Sequence, residues 1–589
     1  AVMASPAKPS SRRVMDAGRV SGLGSDARRP QVEGDAMTGR TFAALQNPAM
    51  VPSQRPAFQT RTVREGPMID LAGVENVVDI ARLQARKRPD QTALIGDGRK
   101  VSFAGIDEIA SRIAQRFLSE GIGRQERVAY LSKNSEDFFS FLFGAAKAGA
   151  ALAPINFRLA APEIGYIVED SGAHWLIVGP DFAELAEKAV AGIEHKPQLI
   201  ALGFDRPGFV RHDLWIGDAE ARDPLLALSP DDDVIQLYTS GTTGLPKGVQ
   251  LTHSNYLAAC RLAQEAPGLA YDEGDVVLGA MPFFHVAGVN IAIFAMASGA
   301  ATAIVRDMIP AAVLALIARE KVNHAFLAPA IILMLMNAPE MAAADLSSMK
   351  TLAYGASPIS DDLLLRAKAR FACAFTQFYG MTETTGAGTL LSDAAHDPAL
   401  GKLRSCGKAW PGLELKIVDG AGREVGVGEV GEILLSAPLV MRGYWNKPEA
   451  TAQAIRDGWM HTGDAAYRDA EGYVFIYDRV KDMIVTGGEN VYPAEVENAI
   501  FGHPDVADVA VIGVPDAQWG EAVKAMVVLK PGATPGAGSV IAWARARIAG
   551  YKAPKTVDFV AAIPRNITGK ILRRELRKPY WEGRDRLVN

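Results

Sequence analysis

From residue 68 onward, short apolar runs alternate with stretches whose apolar residues recur every three or four positions. Residues 93–95 and 100–103 predict two short strands around the turn Gly96-Asp97-Gly98. Residues 106–118 carry helical spacing, 127–131 predict a strand, 138–148 an apolar helix and 151–155 a strand again. Strand–helix–strand alternation pairs strands in parallel through right-handed crossovers, so the fold class predicted is α/β. Further along, 413–418 and 431–436 predict strands separated by Asp419-Gly-Ala-Gly422, a more hairpin-like, β-rich section. Past Arg479 comes a smaller alternating unit over 496–501, 506–513, 522–529 and 540–548, with Pro531-Gly532 and Pro535-Gly536 turns before its last element. The pattern therefore predicts a large N-terminal α/β domain of several subdomains over 68–478 and a small C-terminal α+β domain over 479–589. Residues 1–67 show little periodicity and predict a basic, flexible N-terminal extension.

One run changes the picture if misread. Val286 to Val305 holds no charged residue, as a membrane span would. It does contain Asn290, Ser298, Gly299 and Thr302, and Ser-Gly suits the break between a buried helix and a following strand. The latter reading is adopted, with no transmembrane segment and a cytoplasmic location. The 589 residues are 49% hydrophobic and 22% charged, which excludes a wholly disordered or fibrous chain. A net charge of -5 argues against a dedicated nucleic-acid binder. Residues 1–67 carry ten Lys/Arg against five Asp/Glu, a balance suited to peripheral contact with anionic lipid or to a transit peptide. Asp16, Asp26, Glu33 and Asp35 weaken the transit reading, and a tail or an upstream start ahead of Met37 or Met68 is the plainer one. The three cysteines, Cys260, Cys373 and Cys406, lie far apart and form no Cys-x-x-Cys pair. They suit a reducing compartment and build neither a disulfide framework nor a zinc site. Nothing in the sequence specifies an oligomeric state.

The densest local chemistry is Tyr238-Thr-Ser-Gly-Thr-Thr-Gly-Leu-Pro-Lys-Gly248, directly after the apolar Val234-Ile-Gln-Leu237. A strand running into small hydroxyl residues and glycines lets backbone N–H groups and hydroxyls approach phosphate oxygens, and Lys247 adds a positive charge. It is not a Walker A loop, because Gly244 precedes Lys247 by three and Gly248 follows it.

This loop resembles the phosphate-binding signature of the adenylate-forming superfamily, which includes acyl-CoA synthetases, luciferases and peptide-synthetase adenylation domains. Further motifs follow in that family's order: Pro282-Phe-Phe-His285, Gly355-Ala-Ser-Pro358, Tyr379-Gly-Met-Thr-Glu383, His461-Thr-Gly-Asp464, Asp478-Arg-Val-Lys-Asp482, Gly487-Gly-Glu-Asn-Val-Tyr-Pro493 and Pro564-Arg-Asn-Ile-Thr-Gly-Lys570. The likeness runs from about Val77 to Leu576 and is nearest to bacterial fatty-acid–CoA ligases. It implies ATP, Mg²⁺ and coenzyme A, with a small-molecule carboxylic acid as the fourth participant.

The resemblance also distributes roles. Thr239, Ser240, Gly241, Thr242, Thr243, Gly244 and Lys247 would hold phosphates, with Gly355, Ala356 and Ser357 in the nucleotide site. Tyr379 would stack on adenine beside Gly380, and Thr382 would donate to the α-phosphate. Glu383, a hard oxygen ligand, would hold Mg²⁺, although an isolated Thr-Glu is ordinarily a helix cap. Asp464 would take both ribose hydroxyls with Arg479 nearby, although a turn aspartate after Gly463 reads the same way. Lys570 would sit between carboxylate and α-phosphate, where in-line attack builds negative charge. By composition alone it would be solvated. His285 reads equally as a hydrogen-bonded core residue and as a wall of the acyl and thiol routes, with a positioning role. Lys481-Asp482 falls where the family hinges a mobile small domain, which would carry Lys570 out and the Gly487-Gly488 loop in to shape the pantetheine tunnel.

Amino-acid adenylating domains carry an aspartate after the aromatic motif, and Val286 to Val305 has no acidic residue, so an unpaired ammonium there is disfavoured. Small residues at Ala287, Gly288, Ala292 and Ala295, with Gly386, Ala387 and Gly388, predict room for a large acid, although the demands of helix packing alone would also explain them. The function expected is an ATP-dependent acid–CoA ligase on a medium- or long-chain fatty acid. The alternatives are an aryl or steroid-derived acid, an acyl-AMP ligase loading a carrier protein, and a non-enzymatic acyl- or AMP-binding regulator.

Overall fold

A computed structural model describes residues 71–96, 98–239, 245–479, 482–486, 489–516, 519–565 and 571–582. The expected extension over 1–67 lies outside the described residues. The α/β expectation is met by two large sheets whose central strands run parallel. One orders its strands from Lys408–Ala409 through Gly388–Leu391, Ala374–Gly380, Thr351–Gly355, His324–Leu327, Val276–Gly279, Ala301–Ile304 and Thr92–Ile95 to Lys100–Ser102. The other centres on Arg127–Leu131, flanked in parallel by Ala151–Pro154 and Trp175–Val178. Their helices and inward faces share one apolar core.

Local sequence explains the boundaries. Ser102 ends its strand by capping the helix Phe103–Ser119, its hydroxyl accepting from the Gly105 N–H, so Phe103 begins a helix and does not close the strand. That helix meets Asp137–Lys147 at Gly144, where a Cβ would stand 2.5 Å from an Ile113 methyl. The uncharged run forms the helix Val286–Ser298, closed by Gly299 at φ +75° and followed by the strand Ala301–Ile304. Twelve of its thirteen residues are buried, which accounts for the missing charges. No helix among the described residues is long and apolar enough to cross a membrane.

The β-rich section is a five-stranded sheet, antiparallel throughout, in which Glu414–Val418, Gly431–Ser436 and Trp459–Arg468 lie side by side and Val474–Arg479 adds to the last. A fourth sheet takes in Glu489–Val491, Ile484–Thr486, Gly520–Leu529, Val506–Asp516 and Thr556–Phe559. The helices Pro493–Phe501 and Ala537–Arg545 cover it over a core of its own.

A buried ion pair fixes the strand that carries the phosphate-loop motif. Arg127 on one strand meets Asp233 at 2.5 Å, each side chain 1% exposed. The Arg127 guanidinium also donates to Gln236 and lies 3.5 Å from the Trp445 ring centre. Removing one partner of such a pair strands a charge in the core. The strand Asp233–Thr239 is thereby anchored at its start, with its far end directed to the site.

Candidate active site

Thr239, Gly355 and Gly380 each close a strand, at the carboxyl end where open α/β sheets place ligands. Thr239 ends its strand and Lys247 opens the next, paired antiparallel, so the motif is a hairpin connection. Ser240, Gly241, Thr242, Thr243 and Gly244 lie outside the described residues. The Lys247 ammonium stands 4.8 Å from the Tyr444 ring centre.

Gly355 ends the strand beside Ala374–Gly380, and a Cβ there would lie 2.2 Å from the Phe378 carbonyl. Only glycine fits. Ala356 follows at φ +67°, a left-handed conformation that an alanine adopts at some cost. Ser357 continues the same turn and is partly buried. Tyr379 and Gly380 close the adjacent strand, and the Tyr379 hydroxyl donates to Asp464 at 2.8 Å. Burial and the Asp464 carboxylate together hold that phenol well above its ordinary pKa. Asp464 sits in the strand Trp459–Arg468 opposite Arg479, whose side chain lies outside the described set. Thus a carboxylate and a tyrosine more than eighty residues apart form one polar wall.

Thr382, Glu383 and Thr384 make a single buried 3₁₀ turn, followed by Thr385 at φ +48°. The Glu383 carboxylate accepts from the Tyr444 hydroxyl at 2.9 Å and from the Thr239 hydroxyl at 3.5 Å. The Met441 N–H donates to the Glu383 carbonyl, and the Thr385 hydroxyl to the Leu439 carbonyl. These bonds lash the turn to the segment that delivers Tyr444. Sequence reasoning missed Tyr444, because nothing local sets it apart from any tyrosine after a glycine. Carboxylate and hydroxyl oxygens are the donors that suit Mg²⁺, which keeps waters and substrate phosphates for its remaining positions.

His285 caps the helix Val286–Ser298, its Nδ1 accepting from the Ala287 N–H. Burial lowers its pKa to about 4, so the ring is neutral near pH 7. It starts the helix and also lines a cavity. That cavity is partly open to solvent, and Phe294, Phe326, Phe378 and Trp410 form much of its wall beside Ala356 and Gly380.

The expectation that small residues leave acyl volume needs correction. A Cβ at Gly288 would lie 2.2 Å from the Pro282 carbonyl, and one at Gly388 2.7 Å from that of Tyr379. Ala292 and Ala295 are fully buried in the core and do not line the cavity. Gly288 and Gly388 are small because backbone packs against them. Ala287 and Gly386 do face the cavity.

Lys570, Gly487 and Gly488 lie outside the described residues, as does Lys481. Asp482 is described and pairs with Arg577 at 2.7 Å. Burial pushes the thiols of Cys260, Cys373 and Cys406 up to about 12, so none is a nucleophile at neutral pH.

Known proteins resemble this chain. The chain is 39% identical over 519 residues to a fatty acid–[acyl-carrier-protein] ligase of Streptomyces coeruleorubidus, covering 88% of this chain and 98% of that protein. It is 39% identical over 501 residues to a feruloyl-CoA synthase of an Amycolatopsis species, covering 84% and 97%. Among solved structures, a Mycobacterium tuberculosis fatty acyl CoA synthetase superposes with a TM-score of 0.70 at 34% identity, over 86% of this chain and 98% of that one. The AMP-binding enzyme family matches residues 81–445 and its C-terminal domain matches 495–570. On these matches the chain belongs to the adenylate-forming AMP-binding enzymes.

Proposed function

We propose that this protein is an ATP-dependent carboxylic acid–CoA ligase working through an acyl-adenylate. The observation that carries the reading is the pairing of Glu383 with Thr239 and of Tyr379 with Asp464 beside Gly380, which lines an apolar cavity. In the first step a carboxylate oxygen attacks the α-phosphorus and the bond to pyrophosphate breaks. In the second, the coenzyme A thiolate attacks the acyl carbonyl carbon and AMP departs. The acid has an apolar body, either a medium- or long-chain fatty acid or an aryl acid.

Roles follow from position and family likeness. The motif from Thr239 through Gly244, with Lys247, cradles phosphates. Tyr379, Gly380 and the Gly355-Ala356-Ser357 turn bound the adenine, and Asp464 with Arg479 takes the ribose. Asp464→Asn is expected to raise the KM for ATP about tenfold with a smaller effect on kcat, since a charge-assisted bond to the ribose is lost. Initial-rate kinetics at varied ATP check this. Glu383 and Thr239 supply oxygen donors for Mg²⁺, which neutralises phosphate charge when bound. Thr382 donates to the α-phosphate, His285 positions the acid as a neutral ring, and Lys570 bridges carboxylate and phosphate.

The domain boundary is placed near residues 478–482, with a C-terminal domain that turns about Lys481-Asp482 between the two steps. The Gly487-Gly488 loop then lines the pantetheine route. Gly488→Leu is accordingly expected to cut thioester formation at least about tenfold while pyrophosphate release persists, because a branched side chain fills a passage shaped by bare backbone. An unchanged thioester rate would remove the loop from the tunnel. A cytoplasmic location belongs to the same reading, in keeping with three unpaired cysteines.

The deciding experiment is pyrophosphate release with ATP, Mg²⁺ and a panel of fatty, aryl and steroid-derived acids, with and without coenzyme A. Turnover that needs coenzyme A supports the reading. Acyl-adenylate that accumulates with coenzyme A but transfers to a carrier protein makes the chain an acyl-AMP ligase. Silence across the panel favours a binding regulator.

A further inference from the structure

Besides His285, two polar side chains line the otherwise apolar cavity, and both carry an unanswered polar atom. Asn290 is 6% exposed; its amide nitrogen donates to the Thr385 carbonyl at 2.7 Å, and its Oδ1 has no partner among the described residues. Trp410 is 3% exposed and its edge meets Phe378 at 5.3 Å between ring centres. Its indole N–H likewise has no partner among the described residues. Both residues line the same cavity. One is an acceptor and the other a donor.

Buried polar groups are almost always satisfied, and an orphan in a binding site commonly awaits its ligand. In the proposed reading the nucleotide lies along the wall of Tyr379 and Asp464, which carries neither atom. A carboxylate, an alkyl chain and an unsubstituted ring have no hydrogen to give Asn290. A hydroxyl both donates and accepts, so it answers the amide oxygen and the indole together. The surrounding faces of Phe294, Phe326, Phe378 and Trp410 suit a flat ring better than a flexible chain. Gly386 leaves the approach to Asn290 open, since a Cβ there would stand 2.9 Å from the amide nitrogen.

Resting on the ligase reading, we propose that the preferred acid is aromatic and carries a ring hydroxyl, held between Asn290 Oδ1 and the Trp410 indole N–H. Asn290 and Trp410 are then specificity-determining residues for the acid.

The test compares kcat/KM for 4-hydroxycinnamic, cinnamic and decanoic acids in the full chain with ATP, Mg²⁺ and coenzyme A. A site built to bond a hydroxyl discriminates strongly against the analogue lacking it, and a preference of at least about thirtyfold for the hydroxylated acid over cinnamic acid is expected. In Trp410→Phe, which keeps an aromatic ring and loses the N–H, that ratio is expected to fall to about threefold or less. Asn290→Leu should lower it as well, with the melting temperature of each variant confirming a folded chain. A ratio near one in the wild type, or a preference for decanoic acid, overturns the proposal and leaves the ligase reading intact. So does a strong preference that Trp410→Phe does not change. Silence with every acid overturns the ligase reading and the proposal together.

Discussion

Lys570→Ala is expected to slow acyl-adenylate formation by about a thousandfold, the scale of removing one well-placed group that stabilises developing negative charge. Attack of a carboxylate on the α-phosphate brings two anions together and gathers charge on the phosphoryl oxygens. A cation between them relieves the repulsion before the transition state and the charge within it. The second half-reaction has different demands, because a thiolate attacks a carbonyl already activated by adenylation. Thioester formation from supplied acyl-AMP is therefore expected to stay within about threefold of wild type, since the lost interaction belongs to the other transition state. Single-turnover pyrophosphate release measures the first step, and quenched thioester formation measures the second. Equal losses in both would show that Lys570 acts on the fold or on binding common to the two steps.

Glu383→Gln should be the next most damaging change, at about a hundredfold in pyrophosphate release under saturating ATP. The loss of a hard anionic ligand weakens the hold on Mg²⁺ and leaves phosphate charge uncompensated. The substitution is nearly isosteric, and the amide oxygen can still accept from the Tyr444 hydroxyl that now stands 2.9 Å away. The turn from Thr382 to Thr384 is also held through backbone by Met441, so its shape does not depend on the charge. Raising the Mg²⁺ concentration should accordingly restore part of the rate, whereas the melting temperature should hardly move. A variant that is slow at every Mg²⁺ level would assign Glu383 to orientation of the turn. Tyr444→Phe separates the two cases, since it removes the hydroxyl contact and keeps the carboxylate.

Much of this was readable before any coordinates. The alternation of strands and helices was legible because buried parallel strands are short continuous apolar runs. The helix after His285 was legible in outline because Gly299 marks its end. Its beginning was not, since a histidine cap is not among the usual starting residues. A motif was legible where it spans consecutive positions, as at Tyr379 to Glu383. Residues were not legible where the contact joins distant segments. Tyr444 reaches Glu383 across sixty-one positions, and Asn290 reaches the Thr385 carbonyl across ninety-five. Such pairs arise from how sheets stack, which no local pattern encodes. The small residues along the apolar helix misled for the same reason. Gly288 reads as spare volume in a string of letters, and only packing shows the Pro282 carbonyl already there.

The glycines at 288, 355, 380 and 388 have a consequence for how this pocket can change over evolution or in the laboratory. Each faces a main-chain carbonyl of another segment, at 2.1 to 2.7 Å from where a side chain would begin. Filling any of them forces strands or the helix apart, and since Gly380 is the one of the four that lines the pocket, the pocket cannot be narrowed there by simple substitution. Its adjustable elements are the large side chains Phe294, Phe326 and Trp410 opposite. Selection for new acids should therefore act through trimming and reshaping those aromatics, and drift toward bulkier or longer substrates is the easy direction. Tightening toward smaller ones requires growth at Ala287, the one small lining residue in ordinary helical backbone.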